Sequence, residues 1–342
     1  MIAASGLGAR AGAFALCDIT FTVPHGAYGV VIGPAGSGKT TLLETIAGLV
    51  RPTAGALSLG GRDMAGVPPE QRGIGFVYQR AFLFPHLTVE ENVEYGTADA
   101  AFARMIAERL GVAALYPRDV RSLSGGERAL TAIARAVAAR PAILLLDEPY
   151  SALDPRRRTL VRREMRAMHR EFAYTVLQVT HDFTEAGLLG DVAVLLDAGR
   201  VLQWGAPDKV FREPASAYVA EFLGAENVFA GEVRTAERGA IEFRTGALTF
   251  HAVGDAPAGV GHAVVRAEEV SISRSAPGSS ARNVFPGTIT ELAALGALTR
   301  VVVDIGGTPL VAALTSHSVR ELSLAEGQAV WASFKAMAVH LC

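Results

Sequence analysis

Eight residues near the start of the chain, Gly33-Pro34-Ala35-Gly36-Ser37-Gly38-Lys39-Thr40, spell GxxxxGK[ST]. The run before them, Tyr28 to Ile32, is apolar enough for a central strand. The run after them reads as a helix to about Leu49, closed by the Gly48 and Pro52 region. Glycines at these spacings let successive backbone N–H groups converge on one point, and the following helix N-terminus adds a favourable dipole. Such a cradle takes phosphate. Lys39 is then placed to bridge the β- and γ-phosphates of a nucleotide and Thr40 to hold Mg²⁺, with Thr41 completing the binding segment. Lysine is scarce here, only Lys39, Lys209 and Lys335 occurring, so one inside a mechanistic motif carries added weight.

A second apolar run, Ile143 to Leu146, ends on Asp147-Glu148. Paired with the phosphate loop, this strand end supplies an acidic half: Asp147 orients Mg²⁺ or its water shell, and Glu148 polarises an attacking water. Further strands are expected at Ile19 to Val23, Gly73 to Tyr78, Thr175 to Thr180 and Val192 to Leu196, and a helix at Pro155 to Arg170, with helices inserted between about Thr88 and Arg140. After Gly224 the texture changes to short Val-rich alternating runs, among them Ala263 to Arg266, Gly287 to Glu291 and Arg300 to Ile305. The expected fold is an α/β phosphate-loop (P-loop) NTPase core with a mostly parallel sheet and a helical insertion over residues 1–224. A smaller all-β, OB-like barrel follows over 227–342.

Bulk properties narrow the function classes. A formal net charge of -2 over 342 residues argues against a general nucleic-acid binder, which needs a basic surface. The arginine-rich stretch Arg156-Arg157-Arg158 with Arg162, Arg163, Arg166 and Arg170 reads as a solvated helix face rather than a nucleic-acid surface. The sequence lacks a run of 18 uncharged apolar residues, and Met1 to Gly12 lacks the features of a signal peptide, so a cytoplasmic chain without its own membrane spans is expected. Cys17 and Cys342 suggest neither a disulfide framework nor a metal site.

The order of further motifs resembles the ATP-binding-cassette ATPases. Leu123-Ser124-Gly125-Gly126-Glu127 looks like their signature segment. Gln79 follows a strand, Ser151-Ala152-Leu153-Asp154 follows the acidic pair, and Thr180-His181-Asp182 ends a later strand. The resemblance implies ATP as the nucleotide and a head-to-tail homodimer. In it, Ser124, Gly125, Gly126 and Glu127 of one subunit close over the ATP held by Gly33 to Thr40 of the other. It further implies that His181 contacts the γ-phosphate and helps Glu148 position water, that Gln79 senses Mg²⁺ and signals to a membrane partner, and that Asp154 connects the two sites. Ser124 also reads as a plain helix cap. Two positions depart from the family pattern: Arg128-Ala129-Leu130 follows the signature, and the adenine-stacking position falls on Arg10 by spacing or Phe14 by residue type. Phe82, Leu83 and Phe84 suit either a partner's short helix or subdomain packing.

The resemblance covers roughly Phe14 to Leu223 and favours importers of the sugar and oxyanion group. It implies a separate transmembrane permease dimer, an extracytoplasmic substrate-binding protein, and a peripheral place on the cytoplasmic face of the cell membrane. The tail, from Ser279-Ser280-Ala281-Arg282-Asn283 through Lys335, resembles the molybdate-binding modules of molybdate and tungstate importers, which pair between subunits and can hold the transporter inactive. Convergent donors and positive charge for a tetrahedral oxyanion would come from Ser280, Ala281, Arg282, Asn283 and Lys335. Met337 and Ala338 stand where that family often has hydroxyl residues. Import of sulfate, iron or a polyamine, with the tail serving only to dimerise, is the alternative. A non-transport cassette acting on nucleic acid or ribosomes is the more distant one.

Overall fold

The computed structural model describes residues 1–235, 240–254 and 258–342. Segments 236–239 and 255–257, inside the expected β-rich range, lie outside the described residues. The chain divides into two compact units, Met1–Val210 and Phe211–Cys342. The division falls at 210/211 and not at 224/227 because the short helix Ala217–Phe222 packs on the strands Asn227–Thr235 and Gly259–Val265 of the second unit.

The first unit is built on two sheets. A six-stranded sheet runs in the order Arg200–Gly205, Val192–Asp197, Tyr28–Ile32, Thr175–Thr180, Ile143–Asp147, Ile74–Val77, parallel throughout except for the antiparallel edge Arg200–Gly205. Tyr28–Ile32, Ile143–Asp147 and Thr175–Thr180 are buried at every residue, as expected of central parallel strands whose two faces are both covered. The parallel run of these three strands and Ile74–Val77 brings four carboxyl ends to one edge. Ile32 pairs with Thr180, Val179 with Asp147, and Leu146 with Val77, so Gly33, His181, Glu148 and Gln79 follow one another along that edge.

An antiparallel sheet in the order Phe14–Val23, Ile2–Ala11, Pro52–Leu59, Arg62–Asp63 shares its core with the large sheet. Its strand Ile2–Ala11 lies outside the strands expected from the sequence. The run IAASGLGARA has little β propensity of its own and is a strand because both edges are paired, to Phe14–Val23 and to Pro52–Leu59. The expected insertion is present as helices Val89–Glu94, Ala100–Arg109 and Gly125–Ala138. Thr88 opens the first with a capping box to Glu91.

The second unit is all-β apart from short helices. Its two five-stranded antiparallel sheets run Leu248–Val253, Ala240–Thr245, Asn227–Thr235, Gly259–Val265, Val339–Leu341 and Ser271–Ser273, Ala329–Phe334, Asn283–Leu295, Leu298–Asp304, Pro309–Thr315. They share one core in which Phe250 meets Phe229, Phe285 and Phe334 edge-on at 5.0, 5.5 and 5.4 Å between ring centres. Two buried asparagines join the sheets. Asn227 donates to Val265 O at 3.1 Å and Val311 O at 2.8 Å and accepts from Val311 N at 2.7 Å. Asn283 donates to His251 O at 2.9 Å and accepts from His251 N at 2.7 Å.

Candidate nucleotide site

The phosphate loop takes its shape from close approaches that only glycine permits. A Cβ on Gly33 would lie 2.0 Å from Leu196 O, and one on Gly38, which caps the helix Lys39–Ala47 at φ 100°, would lie 2.5 Å from the Phe14 ring. The Lys39 ammonium folds back to donate to Gly33 O at 2.9 Å and Pro34 O at 2.8 Å. Burial lowers the Lys39 pKa, against the opposing charges of Glu148 and Asp147. Thr40 Oγ1 donates to Asp147 Oδ2 at 2.8 Å. Asp147 is 3 % exposed, and burial raises its pKa despite the Thr40 bond and the Lys39 charge. Ser37 Oγ is buried without a hydrogen-bond partner, and a phosphate oxygen held by the loop would give it one.

One cavity is lined by Phe14, Ala35, Gly36, Gly38, Lys39, Thr40, Thr41, Gln79, Asp147 and Glu148. Of the two residues considered for adenine, Phe14 lies on it and Arg10 is not among its lining residues. The donor set suits Mg²⁺, which takes one or two protein oxygens and completes its shell with substrate phosphates and water.

Glu148 is held from both sides. Its Oε1 faces His181 Nδ1 at 3.1 Å and its Oε2 accepts from Gln79 Nε2 at 3.3 Å. Its backbone sits at φ 42°, a left-handed conformation that costs a non-glycine residue roughly 1 kcal/mol and is kept where the surroundings over-determine it. The turn is secured by Glu148 N to Val179 O at 3.0 Å and by Ser151 Oγ to Glu148 O at 2.9 Å. Lys39, Thr40, Gln79, Asp147, Glu148 and His181 are thus brought together.

Ser124 to Glu127 are not among the residues lining that cavity. Ser124 and Gly125 are exposed at the start of the helix Gly125–Ala138, where Ser124 and Glu127 form a reciprocal capping box at 3.3 and 2.8 Å. Arg118 pairs with Glu127 at 3.2 Å, and Arg128, one of the departures from the family pattern, donates to Leu123 O at 2.8 Å. The signature is therefore rigid and presented outward. Asp154 caps the helix Pro155–Phe172 by accepting from Arg156 N and Arg157 N.

The arginine-rich helix differs from the expected solvated face. Arg162 and Arg166 turn inward, 13 % and 21 % exposed at the side chain, and pair with Asp182 and Glu185 and with Asp191. Sequence reasoning missed these pairs; the signal was Gln178, a lone amide in the strand TVLQVT, which is buried at every residue. Among the oxyanion candidates, Ser280, Arg282 and Lys335 are exposed. Pairing of Asn283 with Phe334 puts Arg282 and Lys335 at the same end of adjacent strands. The Asn283 side chain is spent on the His251 backbone, which makes it a stitch between sheets and not a side-chain anion donor.

A phosphate loop, an acid at the end of the neighbouring strand, a histidine facing that acid and an outward serine-glycine cap define a P-loop ATPase of the cassette class. Residues 16–151 match the ABC transporter family and residues 279–341 the TOBE domain family. The molybdate/tungstate import ATP-binding protein of Pyrococcus horikoshii is 39% identical over 96% of both chains. A sulfate/thiosulfate import ATP-binding protein of Chromobacterium violaceum is 38% identical over 88% of this chain and 83% of its own. Among solved structures, a dimeric ATP-binding cassette in a post-hydrolysis state with ADP and Pi is 27% identical, covers 60% of this chain and 99% of its own, and superposes with a TM-score of 0.55. The chain belongs to the ATP-binding proteins of ABC transporters, and its first unit is their ATP-binding and hydrolysing domain. Among the described residues no helix is long and apolar enough to cross a membrane.

Proposed function

We propose that this chain hydrolyses ATP as a homodimer on the cytoplasmic face of a membrane and thereby drives import of molybdate or tungstate through a separate permease dimer fed by an extracytoplasmic binding protein. The observation that carries the substrate reading is a likeness to a molybdate/tungstate import protein that runs through both units, 96% of each chain. Sulfate is the second reading, favoured by the import protein that matches at 38% identity.

In this reading Gly33 to Thr41 cradle the triphosphate, and Lys39 leaves the Gly33 and Pro34 carbonyls for the β- and γ-phosphates. Thr40, with Asp147 and Gln79, would hold Mg²⁺, which when bound would supply positive charge to the phosphate oxygens. Glu148 orients and polarises the water. His181 and Gln79 fix the two carboxylate oxygens of Glu148, and His181 adds a donor to the γ-phosphate. The water oxygen bonds to the γ-phosphorus, the bridging P–O bond breaks with its electron pair to ADP, and the water proton ends on phosphate by way of Glu148. The outward Ser124, Gly125, Gly126 and Glu127 close the partner's site, and Phe82, 59 % exposed beside Gln79, meets the permease. The exposed Ser280, Arg282 and Lys335, with the backbone near Ala281, are the proposed intracellular oxyanion contacts.

Glu148→Gln keeps the shape of the side chain and both its neighbours. In the purified transporter it binds ATP normally and loses turnover, and unchanged turnover would reject the assigned role. For the substrate, the full-length chain is titrated calorimetrically with molybdate, tungstate and sulfate, and permease-coupled ATP hydrolysis is measured with each. Binding and stimulation by sulfate alone would replace the molybdate reading.

A further inference from the structure

The helix Pro155–Phe172 and the turn that carries His181 are joined by one half-buried guanidinium. Arg162 Nη2 donates to Asp182 Oδ2 at 2.6 Å, while its Nε donates to Glu185 Oε1 at 3.0 Å. Asp182 directly follows His181 and caps the helix Phe183–Leu189 by accepting from Thr184 N at 2.8 Å. Its own N–H is held by Thr180 Oγ1 at 3.0 Å. Glu185, 4 % exposed in the first turn of that helix, also accepts from Gln178 Nε2, and Gln178 Oε1 accepts from Tyr28 OH at 2.5 Å. Tyr28 opens the strand that runs into the phosphate loop. One chain of hydrogen bonds therefore leads from Tyr28 through Gln178, Glu185 and Arg162 to Asp182.

His181 needs such an anchor. Its side chain is 68 % exposed, and the hydrogen bond that orients it is the 3.1 Å contact to Glu148. A carboxylate next to it in sequence, clamped to the helix that begins seven residues after Glu148, fixes the turn from which His181 projects. A planar guanidinium suits the task because its fork spans two carboxylates, which a lysine ammonium cannot do with the same geometry.

We propose that Arg162 is a positioning residue for hydrolysis. Through Asp182 it sets the place of His181 relative to Glu148, and it couples that place to the helix capped by Asp154. The inference rests on the ATPase reading and not on the transported substrate. Neither Arg162 nor Asp182 lines the phosphate-loop cavity, so both act on the site through His181.

The test uses the full-length chain assembled with its permease, with Glu148→Gln as the control that turnover belongs to this site. Asp182→Ser retains a helix cap and cannot reach Arg162. It is expected to lower kcat about tenfold with the KM for ATP and the thermal midpoint near wild type, and Arg162→Lys to lie between the two. In a His181→Ala background the Asp182→Ser change is expected to cost nothing further, because the two act through one group. Wild-type kcat in Asp182→Ser, or a loss that multiplies with that of His181→Ala, would overturn the proposal. Turnover that survives in Glu148→Gln would instead undo the reading of the site itself.

Discussion

Replacing Gly33 with alanine probes how closely the phosphate loop depends on its neighbour strand. The added Cβ would lie 2.0 Å from Leu196 O, 2.7 Å from Ser37 Oγ and 3.1 Å from the Leu196 carbonyl carbon. Leu196 cannot yield cheaply: its strand is held in the large sheet by the Ile32 to Leu195 and Val194 to Trp204 pairings. The loop must move instead, by at least about 1 Å, and a misplacement of that size is worth on the order of 100-fold in rate at a preorganised site. Titration of the full-length variant with a fluorescent ATP analogue, alongside steady-state hydrolysis, should show both affinity and turnover reduced. The thermal midpoint reports whether the unit stays folded. Wild-type binding and turnover in Gly33→Ala would refute the argument that contact with Leu196 shapes the cradle.

Other outcomes follow from the same geometry. Burial raises the Asp147 pKa, so the fold disfavours its ionised form; the penalty is present above the folded pKa and relieved as pH falls through it toward and below 3.8. Asp147→Asn should therefore melt higher than wild type at pH 7 without nucleotide, by a margin that narrows on acidification, while Mg²⁺-dependent hydrolysis is lost. Calorimetry across pH checks the sign. Asn227→Ala strands Val311 N and two carbonyls in the second unit; at about 3 kcal/mol it should lower that unit's transition by roughly 10 °C. An unshifted second transition would show that the stitch contributes little.

The local structure of the candidate site was legible where one short motif carries it. Gly33 to Thr40, Asp147-Glu148 and Ser124 to Glu127 are short, and each lies at a strand end or a helix start that apolar runs and caps mark. What escaped depends on partners distant in sequence. Ile2–Ala11 is a strand by virtue of two neighbours rather than of its alanines and glycines. Arg162 reads as one exposed arginine among seven until the fold brings Asp182 and Glu185 beneath it. Asn283 sits in a segment that resembles an anion site, yet its amide belongs to a strand more than thirty residues earlier, a use that no spacing within the segment reveals.

The row of Gly33, His181, Glu148 and Gln79 at the ends of four adjacent strands works as a ruler. Its divisions are the strand spacing, about 4.8 Å, and the backbone hydrogen bonds of the sheet hold it to that pitch. The strand ends themselves cannot drift apart or close up one at a time. A site that must alternate between idle and active states then has to change by what is brought up to the ruler: a water, a phosphate, or, in the proposed homodimer, the serine cap of a second copy. Timing resides in that arrival, and the marks themselves stay fixed.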